Sequence, residues 1–287
     1  MYKGEKILVF KKLLSKIIVI LLAVFLLYLG CNNNIYEDKN YYTKSDDVID
    51  VNSFVKVPDK RINLSEIRQI NPDVVAWITI PGTTIDSPVM KWLVNDKNGK
   101  SLYDRKDQYG NYAFEGSLYV GEYVNFFPFS ELSNNLVIYG HNLDDNPYGK
   151  RFAQLLNFRN FEFAENTPYI FVTTEDAQLV YQVYAVFFTD LEFKYHVVGC
   201  DEFGQKDIIN GAKERSEYIY DVDVSGKDKI ITLSTCTYRY GKYQSVGQEN
   251  TRFVVQGKLV KDTEHLFNKA SIKINQSPKE PNIPNNF

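Results

Sequence analysis

Cysteine and histidine are scarce in this sequence, with three of each among 287 residues. Three cysteines do not make the disulfide framework that staples small secreted domains. No His/Cys/Asp cluster has the spacing of metal ligands, so neither a metal nor a cofactor is expected. An excess of positive charge is also missing: Lys and Arg total 33 against 36 Asp and Glu, for a net charge of −3. No basic stripe occurs beyond the first sixteen residues, which excludes a nucleic-acid partner. There are no internal repeats and only one long hydrophobic run.

That run is "IIVILLAVFLLYLGC", Ile17 to Cys31, preceded by Lys3, Lys6, Lys11, Lys12 and Lys16. A membrane span needs roughly 20 apolar residues, and Leu13 and Leu14 extend the run if Lys16 snorkels to the interface. Lysines before it and Glu37 and Asp38 after it put the N-terminus on the cytoplasmic side. Residues 1–31 are therefore expected to be a lysine-rich segment and membrane signal-anchor. The protein would be a single-pass protein of the cell membrane, with the rest of the chain extracellular. "YLGC" resembles a lipoprotein box with Tyr28 in place of leucine, which leaves lipidation of Cys31 as the alternative. Residues 32–60 read as a linker or stalk, 61–261 as the folded domain, and 262–287 as a loose polar tail.

What the chain has in abundance is aromatic residues, 21 Tyr and 19 Phe, a load that favours packed strands. Apolar, β-branched runs bounded by turn residues predict strands at 74–80, 85–90, 117–120, 136–139, 169–173, 179–188, 230–235 and 253–260. Helical patterns are few: "NLSEIRQINPD" with Asn63 as cap and Pro72 as stop, "GKRFAQLLNF" from Gly149, and "GQKDIINGAKERSEY" over 204–218. Many short strands with sparse helices indicate a mainly β fold, a barrel or sandwich.

Cys236 closes "IITLSTC", at the point where a buried strand ends. It is either a small core residue or a presented nucleophile. Cys200 and Cys236 are either bridged or free, and a free thiol in an exported domain requires a function. His141 ends "NNLVIYGH" in the same way, after Gly140, whose freedom would let the backbone turn and expose the imidazole. His196 opens a long insertion and His265 lies in the polar tail. Arg252 opens "TRFVVQGKLV", where an antiparallel neighbour of the Cys236 strand would begin; it is otherwise a plain edge charge. Arg239, three residues beyond the cysteine, is a competing cation. Thiol, imidazole and guanidinium at adjacent strand ends suit acyl transfer: a nucleophile, a proton carrier and an oxyanion partner.

"VIYGHN", "TLSTC" and "TRFVVQGKL", in that order, resemble the sortases, the cysteine transpeptidases of Gram-positive cell surfaces. "INPDVVAWITIPGTTIDSPVM", "FEGSLYV" and the helical 204–218 segment are similar to the class B branch. The resemblance runs from about Leu64 to Lys261. It implies an eight-stranded sortase-type β-barrel with an N-terminal helix and a helix inserted before the catalytic strand. It also implies that Cys236 attacks a sorting-signal peptide and cleaves after a threonine, with His141 as general acid/base and Arg252 on the oxyanion. Tyr139, Ser234 and Thr235 would line the substrate groove. Implied partners are surface proteins carrying an NPxTx- or SPxTG-like signal and an amine acceptor of peptidoglycan or lipid II. Some class B members carry an acidic residue shortly after the cysteine, whereas Thr237, Tyr238 and Arg239 follow here. That departure leaves open which carboxylate, if any, orients His141.

The alternative from another class is a surface-anchored, catalytically inactive β-barrel binding module with Cys236 buried. Papain-like peptidases place the cysteine before the histidine, the reverse of this order.

Overall fold

The computed structural model describes residues 62–94, 99–241, 245, 249–261, 263 and 266–283. They lie within one compact unit, Asp46–Phe287. The expected membrane segment, the stalk and His265 fall outside the described residues. Among the described residues no helix is long and apolar enough to cross a membrane. The single-pass placement expected from the sequence is corrected accordingly, since no helix of the described fold supports it.

Eight strands build the body: β1 Val74–Thr79, β2 Asp86–Met90, β3 Leu118–Val120, β4 Asn135–Tyr139, β5 Tyr169–Thr173, β6 Gln178–Asp190, β8 Ile230–Cys236 and β9 Thr251–Leu259. They close into a barrel in the order β1-β2-β3-β4-β8-β9-β6-β5. Closure removes the open sheet edge that would otherwise invite aggregation. Each strand falls on one of the predicted apolar runs, with small differences at the ends. Inside the barrel, Ile231 and Leu233 of β8 meet Phe253 and Val255 of β9 in the main core.

The outer face of the same two strands is covered as well. Helix α3 (Glu202–Arg215) is capped by Asp201, whose Oδ1 accepts from Gly204 N–H at 2.8 Å. It lays Ile208, Ile209 and Ala212 over Ile230, Val254, Tyr184 and Phe187. Burial on both faces explains why "IITL" reads as a continuous apolar run rather than an alternating one. Helix α1 (Leu64–Ile70) begins at Asn63, whose side chain bonds both the backbone N–H and the carboxylate of Glu66 across the first turn.

Three departures from the sequence reading have simple causes. The "GKRFAQLLNF" segment is a 3-10 helix, Arg151–Arg159, followed by the short helix α2 (Phe161–Asn166). Phe152, Leu155 and Phe158 are all buried, and their spacing of three matches three residues per turn. The 204–218 helix stops at Arg215, and Tyr218–Tyr220 become β7. The tail is not loose. Ile272–Ile274 form β10, which pairs antiparallel with β7, and Leu266 and Ala270 are buried. Few apolar residues mark this segment, so its order depends on a partner strand that the tail's own pattern does not reveal.

Candidate active site

Strands β4 and β8 run parallel, with Tyr139 opposite Ser234, so the chain leaves both at the same end of the barrel. There Gly140 N–H donates to Ser234 O at 3.3 Å. Thr235 Oγ1 returns a hydrogen bond to Gly140 O at 2.7 Å. Asn142, itself buried, donates from Nδ2 to Cys236 O at 3.0 Å. The residues on either side of His141 are thus fastened to the residues at the end of β8, which holds His141 beside Cys236. Gly140 is needed for close approach rather than for an unusual turn. A Cβ there would stand 2.5 Å from Leu118 Cδ2 and 2.7 Å from Phe152 Cγ.

On the other side of β8, antiparallel β9 puts Arg252 directly opposite Cys236. Paired residues project from the same face of a sheet, so both side chains leave the strand ends on one face. Arg252 Nη1 donates to Glu249 O at 2.9 Å and Thr251 O at 2.7 Å, which fixes the guanidinium at the strand end. Arg239, the competing cation, stacks instead over Phe188 at 4.9 Å and Tyr240 at 5.6 Å. Cys200 and Cys236 are both free thiols, so the bridged alternative falls.

The groove expectations divide. Tyr139 is half-buried, with its ring 5.8 Å from Tyr119, and Tyr119 in turn lies 6.2 Å from Trp92. Burial, then the charges of Asp104, Tyr139 and Cys236, raise the Tyr119 hydroxyl's pKa despite Arg252, so it stays protonated. Ser234 and Thr235 are 1% and 2% exposed. By strand alternation Thr235 points with Leu233 into the barrel. Ser234 shares the face of Cys236, but Tyr195 covers it, the two hydroxyls meeting at 2.9 Å. Both therefore lie buried beneath the strand end, Ser234 under Tyr195 and Thr235 bonded to Gly140.

One participant was not singled out from the sequence. The 3-10 turn Leu102–Arg105 brings Asp104 Oδ1 to 3.0 Å and Asp104 O to 2.9 Å from His141 Nε2. Burial would raise the Asp104 carboxyl, but its hydrogen bond and attraction to His141, then the charges of Arg105 and Lys100, outweigh this and hold it below the ordinary carboxylate range.

A closed barrel that sets a free thiol, an imidazole and a guanidinium at neighbouring strand ends has the parts of a cysteine-dependent acyl-transfer enzyme. The family model described as "Sortase domain" matches residues 78–260. The chain is 33% identical over 231 residues to the Sortase B of Listeria monocytogenes, covering 80% of this chain and 85% of that one. Among solved structures, a Staphylococcus aureus sortase B–substrate complex superposes with a TM-score of 0.58 at 25% identity, covering 68% of this chain and 83% of its own. A sortase B complexed with triglycine gives 0.57 at 25% identity, covering 69% of this chain and 85% of its own. The chain belongs to the sortase family, on its class B branch, and is a cysteine transpeptidase.

Proposed function

We propose that this enzyme cleaves a sorting signal after threonine and transfers the surface protein bearing it to an amine of peptidoglycan or its lipid II precursor. Cys236 is the nucleophile, His141 the general acid/base and Arg252 the oxyanion partner. The observation that carries this reading is the double fastening of His141 and Arg252 to the Cys236 strand end. The hydrogen bonds of Gly140 and Asn142 hold one, and the β8–β9 register holds the other.

In the first half-reaction the Cys236 thiol passes its proton to His141, and the sulfur bonds to the threonine carbonyl carbon. Negative charge on the carbonyl oxygen is met by Arg252. The C–N bond then breaks as His141 returns the proton to the leaving amine, and a thioacyl enzyme remains. In the second, the acceptor amine attacks the thioester and gives a proton to His141, the C–S bond breaks, and His141 passes that proton to the departing sulfur to restore the thiol. A relative solved with triglycine supports an amine as acceptor, and a relative solved with its substrate supports a peptide as donor. The signal read is of the NPxTx or SPxTG type, with Tyr139 on the groove wall.

The test presents the full chain with quenched peptides of NPxTx, SPxTG and LPxTG type, with and without a triglycine acceptor. Cleavage after threonine and a peptide–triglycine product are expected, with NPxTx or SPxTG preferred. Cleavage elsewhere, or with equal rates in the Cys236→Ala protein, would overturn the reading.

A further inference from the structure

Two oxygens of a single residue converge on the imidazole. Asp104 Oδ1 lies 3.0 Å and Asp104 O 2.9 Å from His141 Nε2. Neither a carboxylate nor a peptide carbonyl can donate, so these two acceptors favour a proton on Nε2 over the one donor there, Arg105 Nη1. Arg105 Nη1, 3.3 Å from the same nitrogen, is a donor and cannot replace them. It reinforces the arrangement indirectly, with its Nε 3.7 Å from Asp104 Oδ2.

The turn that presents Asp104 is built to hold it still. Ser101 Oγ caps it by accepting from Tyr103 N–H at 3.2 Å. Tyr103 is buried, and its hydroxyl donates to Asp73 Oδ2 at 2.7 Å. The segment leading into β3 passes so close that a Cβ on Gly116 would lie 2.5 Å from Asp104 O, and Gly116 has φ +56. A glycine is needed there to let the Asp104 carbonyl keep its place. Asp104 and His141 side chains are 16% and 18% exposed, so their attraction is screened far less than that of a surface pair.

We propose that Asp104 is the positioning residue of this site: it holds the His141 ring in place in the Nε2–H form and leaves Nδ1 as the nitrogen that exchanges protons. The proposal rests on the reading of His141 as the general acid/base. The orienting carboxylate then comes from a turn between β2 and β3, not from Thr237 and the residues that follow the cysteine. The charged groups in contact with the imidazole are Asp104 and Arg105 on that turn; the charge of Lys100 also acts on Asp104, and the charges of Asp104, Cys236 and Arg252 act on Tyr119 of β3.

The test uses the full chain labelled with 15N-histidine. It has only three histidines, and a His141→Gln spectrum assigns the ring of interest. Ring nitrogen shifts are read at one neutral pH for the native chain, Asp104→Asn and Asp104→Glu, and kcat is measured on a cleaved peptide. Expected in the native chain is Nε2–H in any neutral imidazole. Asp104→Asn, whose side-chain amide can donate to Nε2, should move part of the neutral imidazole to the Nδ1–H form and lose at least about tenfold in kcat. Asp104→Glu, which keeps an acceptor carboxylate, should recover the Nε2–H form. A native Nδ1–H tautomer, or an Asp104→Asn chain with native spectrum and kcat, would overturn the proposal. The spectra need no substrate, so a chain that cleaves no peptide would defeat the function and still decide the placement of the proton.

Discussion

Cys236 and Arg252 are direct register partners across β8 and β9. The relation is set by the strand ladder itself, not by a flexible side chain reaching across a cleft. Any slip of one residue would turn one of the two side chains to the barrel interior, and the buried Phe253 and Val255 beside them make such a slip costly.

From this follows an order of severity among the site variants. Cys236→Ala is expected to abolish turnover. His141→Ala and Arg252→Ala should each lower kcat/KM at least about a hundredfold. Arg239→Ala, whose guanidinium lies over Phe188 and Tyr240, should stay within a few-fold of native. Peptide-cleavage kinetics on the four variants check this, and an inactive Arg239→Ala beside a fully active Arg252→Ala would reverse the roles.

Gly140→Ala drives a methyl group into Leu118 and Phe152. Overpacking of this kind costs about 1–3 kcal/mol, and each kcal/mol lowers Tm by about 2–4 °C in a domain of this size. Thermal unfolding should show that loss. Because the same glycine sets the position of His141, activity below the melting transition should fall as well.

The barrel was largely legible in the sequence, and so were the three residues at strand ends. Each strand is an apolar, β-branched run closed by turn residues, and His141, Cys236 and Arg252 stand where such runs end or begin. Asp104 was not legible, for a physical reason. It lies 37 positions before His141, in the polar stretch "SLYDRKD", where a 3-10 turn leaves no periodic pattern. The nearest signal was the buried Tyr103 beside it and the glycine at position 116, and both gain meaning only once the fold brings them together. Burial of Ser234 and Thr235 was hidden because their hydrogen-bond partners, Tyr195 and Gly140, are distant in sequence.

Acid should weaken the fold through identifiable carboxylates. Burial opposes ionisation of Asp73, Asp104 and Asp228, but Lys91 and Tyr103, His141, and Ser225 with Lys258, respectively, outweigh it and lower their pKa values below 3.8. A depressed folded-state pKa contributes stability that is present above the unfolded value and lost as pH falls through the folded one. Denaturant unfolding should therefore show a weaker fold below about pH 4. Asp73→Asn and Asp228→Asn should flatten that decline, and an unchanged acid slope in both would contradict the assignment.

The C-terminal segment is expected to stabilise both the fold and the loop after Cys236. Besides the β7–β10 pairing, Asn282 N–H donates to Asp190 Oδ2 at 2.7 Å, Lys279 N–H donates to Glu214 O at 2.9 Å, and the Tyr240 hydroxyl donates to Glu280. Deleting residues from 272 onward should lower Tm and slow peptide cleavage. A truncated chain with native Tm and native rate would mean that these contacts contribute nothing.

The most direct test of the account is intact-mass analysis of the full chain during turnover of the best-cleaved peptide. The expected result is an adduct equal to the peptide fragment ending in threonine, mapped to Cys236, sensitive to hydroxylamine, discharged by triglycine and absent in Cys236→Ala. Efficient cleavage with no adduct at Cys236, or an adduct on Cys200 instead, would contradict it.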